Sequence, residues 1–194
     1  MAPSKGEATR KAILHGAVTL ASRSGLEGLT IGKLAEELGL SKSGLFAHFG
    51  SKEKLDVEVV RAAREQFIAE VVAPALRAPR GEPRLRALLD RWVAWGRREG
   101  GCIFVALSAE LDDKPGPARD TLEEAMRDWL DTLAGAAKIA VAEGHFRKSI
   151  DPEQFAFELY GVMLAAHHLI RFHRDPRAAA RTRKAIDRLI ESCR

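Results

Sequence analysis

From Ser41 to Lys52 the chain reads SKSGLFAHFGSK, and on a short helix Lys42, Ser43, Phe46 and Ala47 share one side while Leu45 and Phe49, four apart, share another. The first set offers a cation, a hydroxyl and an aromatic ring with no place in a core. Together they do not make a catalytic set, but they suit the major groove of a duplex. Lys42 can donate to guanine acceptors or a phosphate, Ser43 can bond either, and the apolar groups can meet a thymine methyl. Gly44 and Ala47 let the backbone approach, and His48 and Lys52 lie at the far end, where phosphate contact is expected. Phe46 left in water is poor surface chemistry unless something covers it.

The elements that must hold this surface are legible nearby. Apolar residues recur at three and four along almost the whole chain and nowhere alternate at two, which predicts an all-α protein of about nine helices. A first helix is expected from about Glu7 to Ser24, with Ile13, Ala17, Leu20 and Ala21 inward and Gly25 as its stop. Thr30 is expected to cap a helix 31–38, Gly39 to end it, Leu40 to plug the turn and Ser41 to cap a helix 42–49. Leu34, Leu38, Leu40, Leu45 and Phe49 then face one another, with Ala35 small where the helices cross. Two short helices joined by Leu38-Gly39-Leu40-Ser41 have the length of a helix-turn-helix. After Gly50, Ser51 should cap a long helix to about Ala73, whose first N–H groups are a further anion site.

Beyond it, Pro83 opens a helix to about Glu99, GGCIFVALSAEL forms another, and DDKPGP precedes a long one to Glu143. Asp151-Pro152 and Asp175-Pro176 each place a capping acid before a proline suited to a first helical turn.

The segment EGLTIGKLAEELGLSKSGLFAHFGSKEKL, Glu27 to Leu55, resembles the DNA-binding pattern of the TetR family of bacterial transcriptional regulators. The resemblance implies an N-terminal three-helix helix-turn-helix domain over 1–55 and a larger C-terminal helical domain over 56–194 that binds effector and dimerises. It implies a homodimer reading a palindromic operator in double-stranded DNA, released by a small-molecule effector, most simply as a repressor. It puts Thr30 and Lys33 on the DNA backbone, Lys42, Ser43, Gly44 and Leu45 at the bases, and Phe46, His48 and Lys52 at phosphates, with Ser41 also among the DNA-binding residues. The chain departs from the family at Phe46, where tyrosine is usual, so an apolar or stacking contact replaces a phosphate hydrogen bond. Gly32 likewise leaves less reading power on its helix.

In the larger domain Trp92, Trp95, Phe104, Met126 and Trp129 are candidates to line a pocket for an apolar or aromatic effector. The helix 152–173 is apolar on more than one side, so it needs more than one partner. With the final helix it is expected to build a two-fold four-helix interface, for which Phe155, Gly161, Ala165, His168, Ile186, Leu189 and Ile190 are the candidates.

Other function classes find little footing. No nucleophile, phosphate-loop or dinucleotide motif occurs, so no catalytic residue and no cofactor is assigned, and the chain is not expected to be an enzyme. His145, His167, His168 and His173 lack the spacing of a helical zinc pair, so no metal is expected. Cys102 and Cys193 are isolated, as in packed reduced thiols. Apolar runs of about ten residues are too short to span a bilayer, no secretory signal is visible, and a cytoplasmic protein is expected. The net charge is +4, and the first 52 residues hold seven Lys/Arg against four Glu, so most of the excess lies in that quarter. The competing expectation is a helical small-molecule-binding protein or enzyme that has kept the helical corner but lost DNA binding.

Overall fold

The computed structural model describes residues 5–194, and among them it contains nine helices and no strand. We number them α1 (Lys5–Gly28), α2 (Ile31–Leu38), α3 (Lys42–Phe49), α4 (Lys52–Phe67, continued by a π turn Ile68–Val72 and a last α turn Ala73–Ala75), α5 (Glu82–Gly96), α6 (Ile103–Leu111), α7 (Pro117–Ala142), α8 (Pro152–Arg171) and α9 (Ala178–Ser192). The chain packs as two compact units. The first holds the described residues up to Phe67 together with Arg98–Glu124, and the second holds Ile68–Arg97 and Ala125–Arg194. The unit that contains the short helices therefore also takes in α6 and the start of α7.

In the first unit α1 packs along α4 and α6, and the α2–α3 pair closes against α1 and α4. Ile13, Ala17, Leu20 and Ala21 supply the inward stripe of α1, as their spacing predicts, and meet a core that includes Leu29, Leu34, Leu55, Val59 and Leu107. Gly16 lets α2 come close, since a Cβ there would stand 2.7 Å from a methyl of Leu38. Helical geometry fails at Gly25 (φ 72°, ψ 177°), a region open essentially to glycine, so α1 breaks where the stop is expected.

Two details of the second unit and its edges depart from expectation. The helix after Ser51 does not end before Pro74. It widens into the π turn and takes Pro74 into its final α turn, and the Glu70 carbonyl, four residues before the proline, accepts from Arg91 Nη1 at 3.3 Å instead. Asp175 does not cap α9 directly: its carboxylate accepts from the Arg177 N–H at 2.9 Å and shapes a turn, and α9 begins at Ala178. Asp151, by contrast, accepts from Glu153 and Gln154 N–H at 3.0 and 3.1 Å and caps α8 as expected.

A candidate nucleic-acid interface

The turn between α2 and α3 is built by backbone chemistry that the sequence announces. Thr30 Oγ1 accepts from the Lys33 N–H at 3.1 Å, Gly39 takes the left-handed conformation (φ 64°) with its N–H on the last carbonyls of α2, and Ser41 Oγ accepts from the Gly44 N–H at 3.1 Å. Ser51 caps α4 in the same way, through the Lys54 N–H at 3.2 Å. These caps fix where α3 starts and which of its faces looks out.

That outward face carries Lys42, Ser43, Gly44, Phe46 and Ala47, all exposed, with Phe46 at 54%. Ser43 Oγ lies 3.3 Å from Ser41 Oγ. The Lys42 stem lies over the start of α2, where a Cβ at Gly32 would make only ordinary contact with Cε at 3.4 Å and Nζ at 3.6 Å, beside Thr30. Lys33 and Thr30 are exposed on the same helix start.

Several expected contacts are corrected by burial and pairing. Leu45 is 1% exposed and packs under α3 with Phe49, so its side chain is an anchor and cannot touch a base. Leu40 does not plug the turn; it is 40% exposed, because the Leu40 N–H turns back to the Ala35 carbonyl at 2.9 Å and carries the side chain outward. Lys52 is committed inside the protein: its ammonium donates to the Leu26 carbonyl at 2.9 Å and pairs with Asp56. With two of its three donors engaged, Lys52 has only the third left for a phosphate. Burial pushes the Asp56 carboxyl up, against the opposing effect of Lys52. His48 is half-buried, and its carbonyl accepts from Arg10 at 2.6 Å.

The break at Gly25 is held from two sides. Glu110 of α6 accepts from the Leu26 and Glu27 N–H groups at 2.8 and 2.7 Å, while Lys52 takes the Leu26 carbonyl. Lys114 pairs with Glu27 at 2.5 Å on the outside. Sequence reasoning missed this latch because Glu110 and Lys114 lie more than eighty positions from their partners. Only the glycine itself was a signal.

In the second unit the effector candidates divide. Trp92 and Trp129 meet edge to face with centroids 5.1 Å apart, and Tyr160, which the sequence reading left out, stacks on Trp92 at 6.3 Å. Trp95 is buried and Met126 half-buried. Phe104 belongs to the first unit, where α6 packs on α1 and its ring stands edge-on to Phe67 at 5.6 Å. The interface candidates divide too. Phe155, Ile186 and Ile190 are core residues, Phe155 against Phe146 with centroids 5.7 Å apart. Leu189 is half-buried, and Gly161, Ala165 and His168 are exposed. Gly161, Ala165 and His168 share α8 with Phe157 (69% exposed) and Leu164, and Phe172 (75%) follows as its C-cap, so the outward stripe is 157, 161, 164, 165, 168 and 172. The inward stripe of the same helix, 155, 159 and 163, had drawn Phe155 into the expected interface.

Known proteins place these features in context. The family profile described as "Bacterial regulatory proteins, tetR family" matches residues 13–59, and that described as "Tetracyclin repressor-like, C-terminal domain" matches 81–186. The HTH-type transcriptional repressor AcnR of Corynebacterium efficiens is 38% identical over 79 residues, 37% of this chain and 42% of that protein, so the match spans less than half of that relative. Among solved structures, a TetR-family transcriptional regulator from Cytophaga hutchinsonii superposes with a TM-score of 0.86 at 19% identity, covering 100% of this chain and 98% of that one. AibR in complex with isovaleryl coenzyme A and operator DNA superposes with a TM-score of 0.71 at 23% identity, covering 94% and 96%. Among the described residues no helix is long and apolar enough to cross a membrane, and no three His, Cys, Asp or Glu side chains gather as a metal site.

Proposed function

The chain belongs to the TetR family of bacterial regulatory proteins, and from that premise we propose that it is a ligand-responsive transcriptional regulator, a repressor that binds a palindromic operator as a homodimer. The observation that carries this reading is the outward face of α3, where Lys42, Ser43 and Phe46 stand in solvent on a helix fixed from behind by Leu45 and Phe49. A helix so anchored can enter a major groove without refolding, and the duplex supplies the cover that Phe46 lacks. Thr30 and Lys33 then reach the backbone beside it.

Dimerisation is supported by the α8 stripe, in which Phe157, Leu164 and Phe172 expose apolar surface next to the small residues Gly161 and Ala165. A two-fold axis through this stripe sets each copy's large rings against the other's small positions. The effector is an apolar or aromatic molecule held near the Trp92, Trp129 and Tyr160 rings. AibR, whose complex holds both an acyl coenzyme A and operator DNA, supports the pairing of effector and operator on this fold. Effector binding shifts the two recognition helices away from a separation of about 34–36 Å, by no more than its differential affinity for the two states.

Selection of duplexes from a random-sequence pool by the wild-type protein, with light scattering at micromolar concentration, tests the proposal. Enrichment of a two-fold symmetric sequence and a dimer mass are expected. A pool that stays random, or a monomer throughout, contradicts it.

A further inference from the structure

Arg10 lies on α1, outside the segment that carries the reading face, yet it touches the end of the helix that bears it. Its guanidinium stands 4.8 Å from the centroid of the Phe49 ring, donates through Nη1 to the His48 carbonyl at 2.6 Å and pairs through Nη2 with Glu58 of α4 at 2.8 Å. Glu58 is steadied in turn by Arg61 at 3.3 Å. One planar side chain thus joins three helices. Beside it opens a cleft of about 560 Å³ lined in part by Lys54, Val57 and Pro117.

Two of these contacts, to the His48 carbonyl and the Phe49 ring, act on the last turn of α3. Its final carbonyls have no partner within the helix, and Gly50 returns its N–H only to Phe46, at 2.8 Å. The Arg10 donor satisfies His48, and its charge opposes the negative end of the helix. The same cation lies over the aromatic face of Phe49, the buried anchor of α3. An eight-residue helix has little stability of its own, so its direction depends on such external holds. We propose that Arg10 is the positioning residue of the recognition helix: it sets the tilt of α3 through His48 and Phe49, with Glu58 orienting it, and so governs discrimination between sequences rather than attraction to DNA as such. This inference rests on the DNA-binding reading of α3.

Three variants test it: Arg10→Met, Arg10→Lys, and the exchanged pair Arg10→Glu with Glu58→Arg. Amide hydrogen exchange on the free protein asks whether the hold exists without reference to DNA. Arg10→Met is expected to speed exchange at Phe49 and Gly50 by about tenfold, the scale of one lost charged hydrogen bond, while amides in the middle of α1 are unchanged. Binding is then measured on the duplex that wild type enriches and on a scrambled duplex of the same length and salt. Arg10→Met is expected to weaken the enriched duplex by about 10- to 100-fold and the scrambled one by less than about threefold, because non-specific affinity follows phosphate neutralisation. Arg10→Lys keeps the charge, loses the fork and recovers part of the specific affinity. The exchanged pair restores an ion pair but leaves His48 without a donor, and recovers none. Unchanged exchange in α3, equal losses on both duplexes, or full recovery by the exchanged pair overturns the proposal. If wild type enriches no sequence, the reading of α3 fails, and the exchange result still tells whether Arg10 holds the helix.

Discussion

Lys42 and Leu45 sit three residues apart on α3 with opposite surroundings, one exposed beside Gly32 and the other sealed. Lys42→Ala should therefore leave the melting temperature unchanged and cost about 1–3 kcal/mol in binding to the selected duplex, read by fluorescence anisotropy. Leu45→Ala should do the reverse first, costing about 2–5 kcal/mol of stability in denaturant unfolding, because it empties a packed site. Lys52 looks like a phosphate ligand in the sequence but holds the Leu26 carbonyl. Lys52→Met is expected to lower stability and to leave the salt dependence of DNA binding unaltered, whereas removing a phosphate contact would reduce that slope by about one. The caps Thr30, Ser41 and Ser51 were legible because each acts within three residues. Lys52 was not, because its carbonyl partner is 26 positions away and only the fold brings them together.

At the scale of elements, legibility followed periodicity. The four inward residues of α1 and the boundaries of α2 and α3 came directly from spacing and caps. On α8 periodicity gave the helix but not which stripe is outward, because Phe155 and Phe157 are equally apolar and only packing against Phe146 distinguishes them. Gly25 shows what an isolated glycine can signal. Gly25→Ala should destabilise the protein by about 1–3 kcal/mol from backbone strain alone, and by more because the new methyl runs into the Glu110 carboxylate. At the start of α5, Glu82 is buried, and the Arg194 and Arg86 guanidinium groups hold its carboxyl below the usual carboxylate range in spite of burial. A carboxyl lowered on folding contributes stability at pH values above its unfolded pKa of about 4.3 and loses it as the pH falls through the folded value. Thermal melts of wild type should thus decline more steeply below about pH 4.3 than those of Glu82→Gln, which lacks this titration.

At the scale of the whole molecule, the reading face of one α3 covers too few base pairs to specify a site alone, so the account needs two copies. The α8 stripe is where the second copy is expected. Phe157→Glu puts a charge within that stripe, and should yield a monomer by light scattering with intact helicity by circular dichroism and much weakened binding to the selected duplex. Composition hinted at anionic partners but could not locate this surface, since exposure of Phe157 and Phe172 is a property of the packed chain. The most direct measurement of the central claim is methylation interference on the selected duplex, because dimethyl sulfate marks guanine N7 in the major groove and adenine N3 in the minor groove. Guanine N7 methylation is expected to block binding in two clusters about 10 base pairs apart, or at a related spacing that bending tolerates. Interference confined to adenine N3, or none at any base, would contradict it.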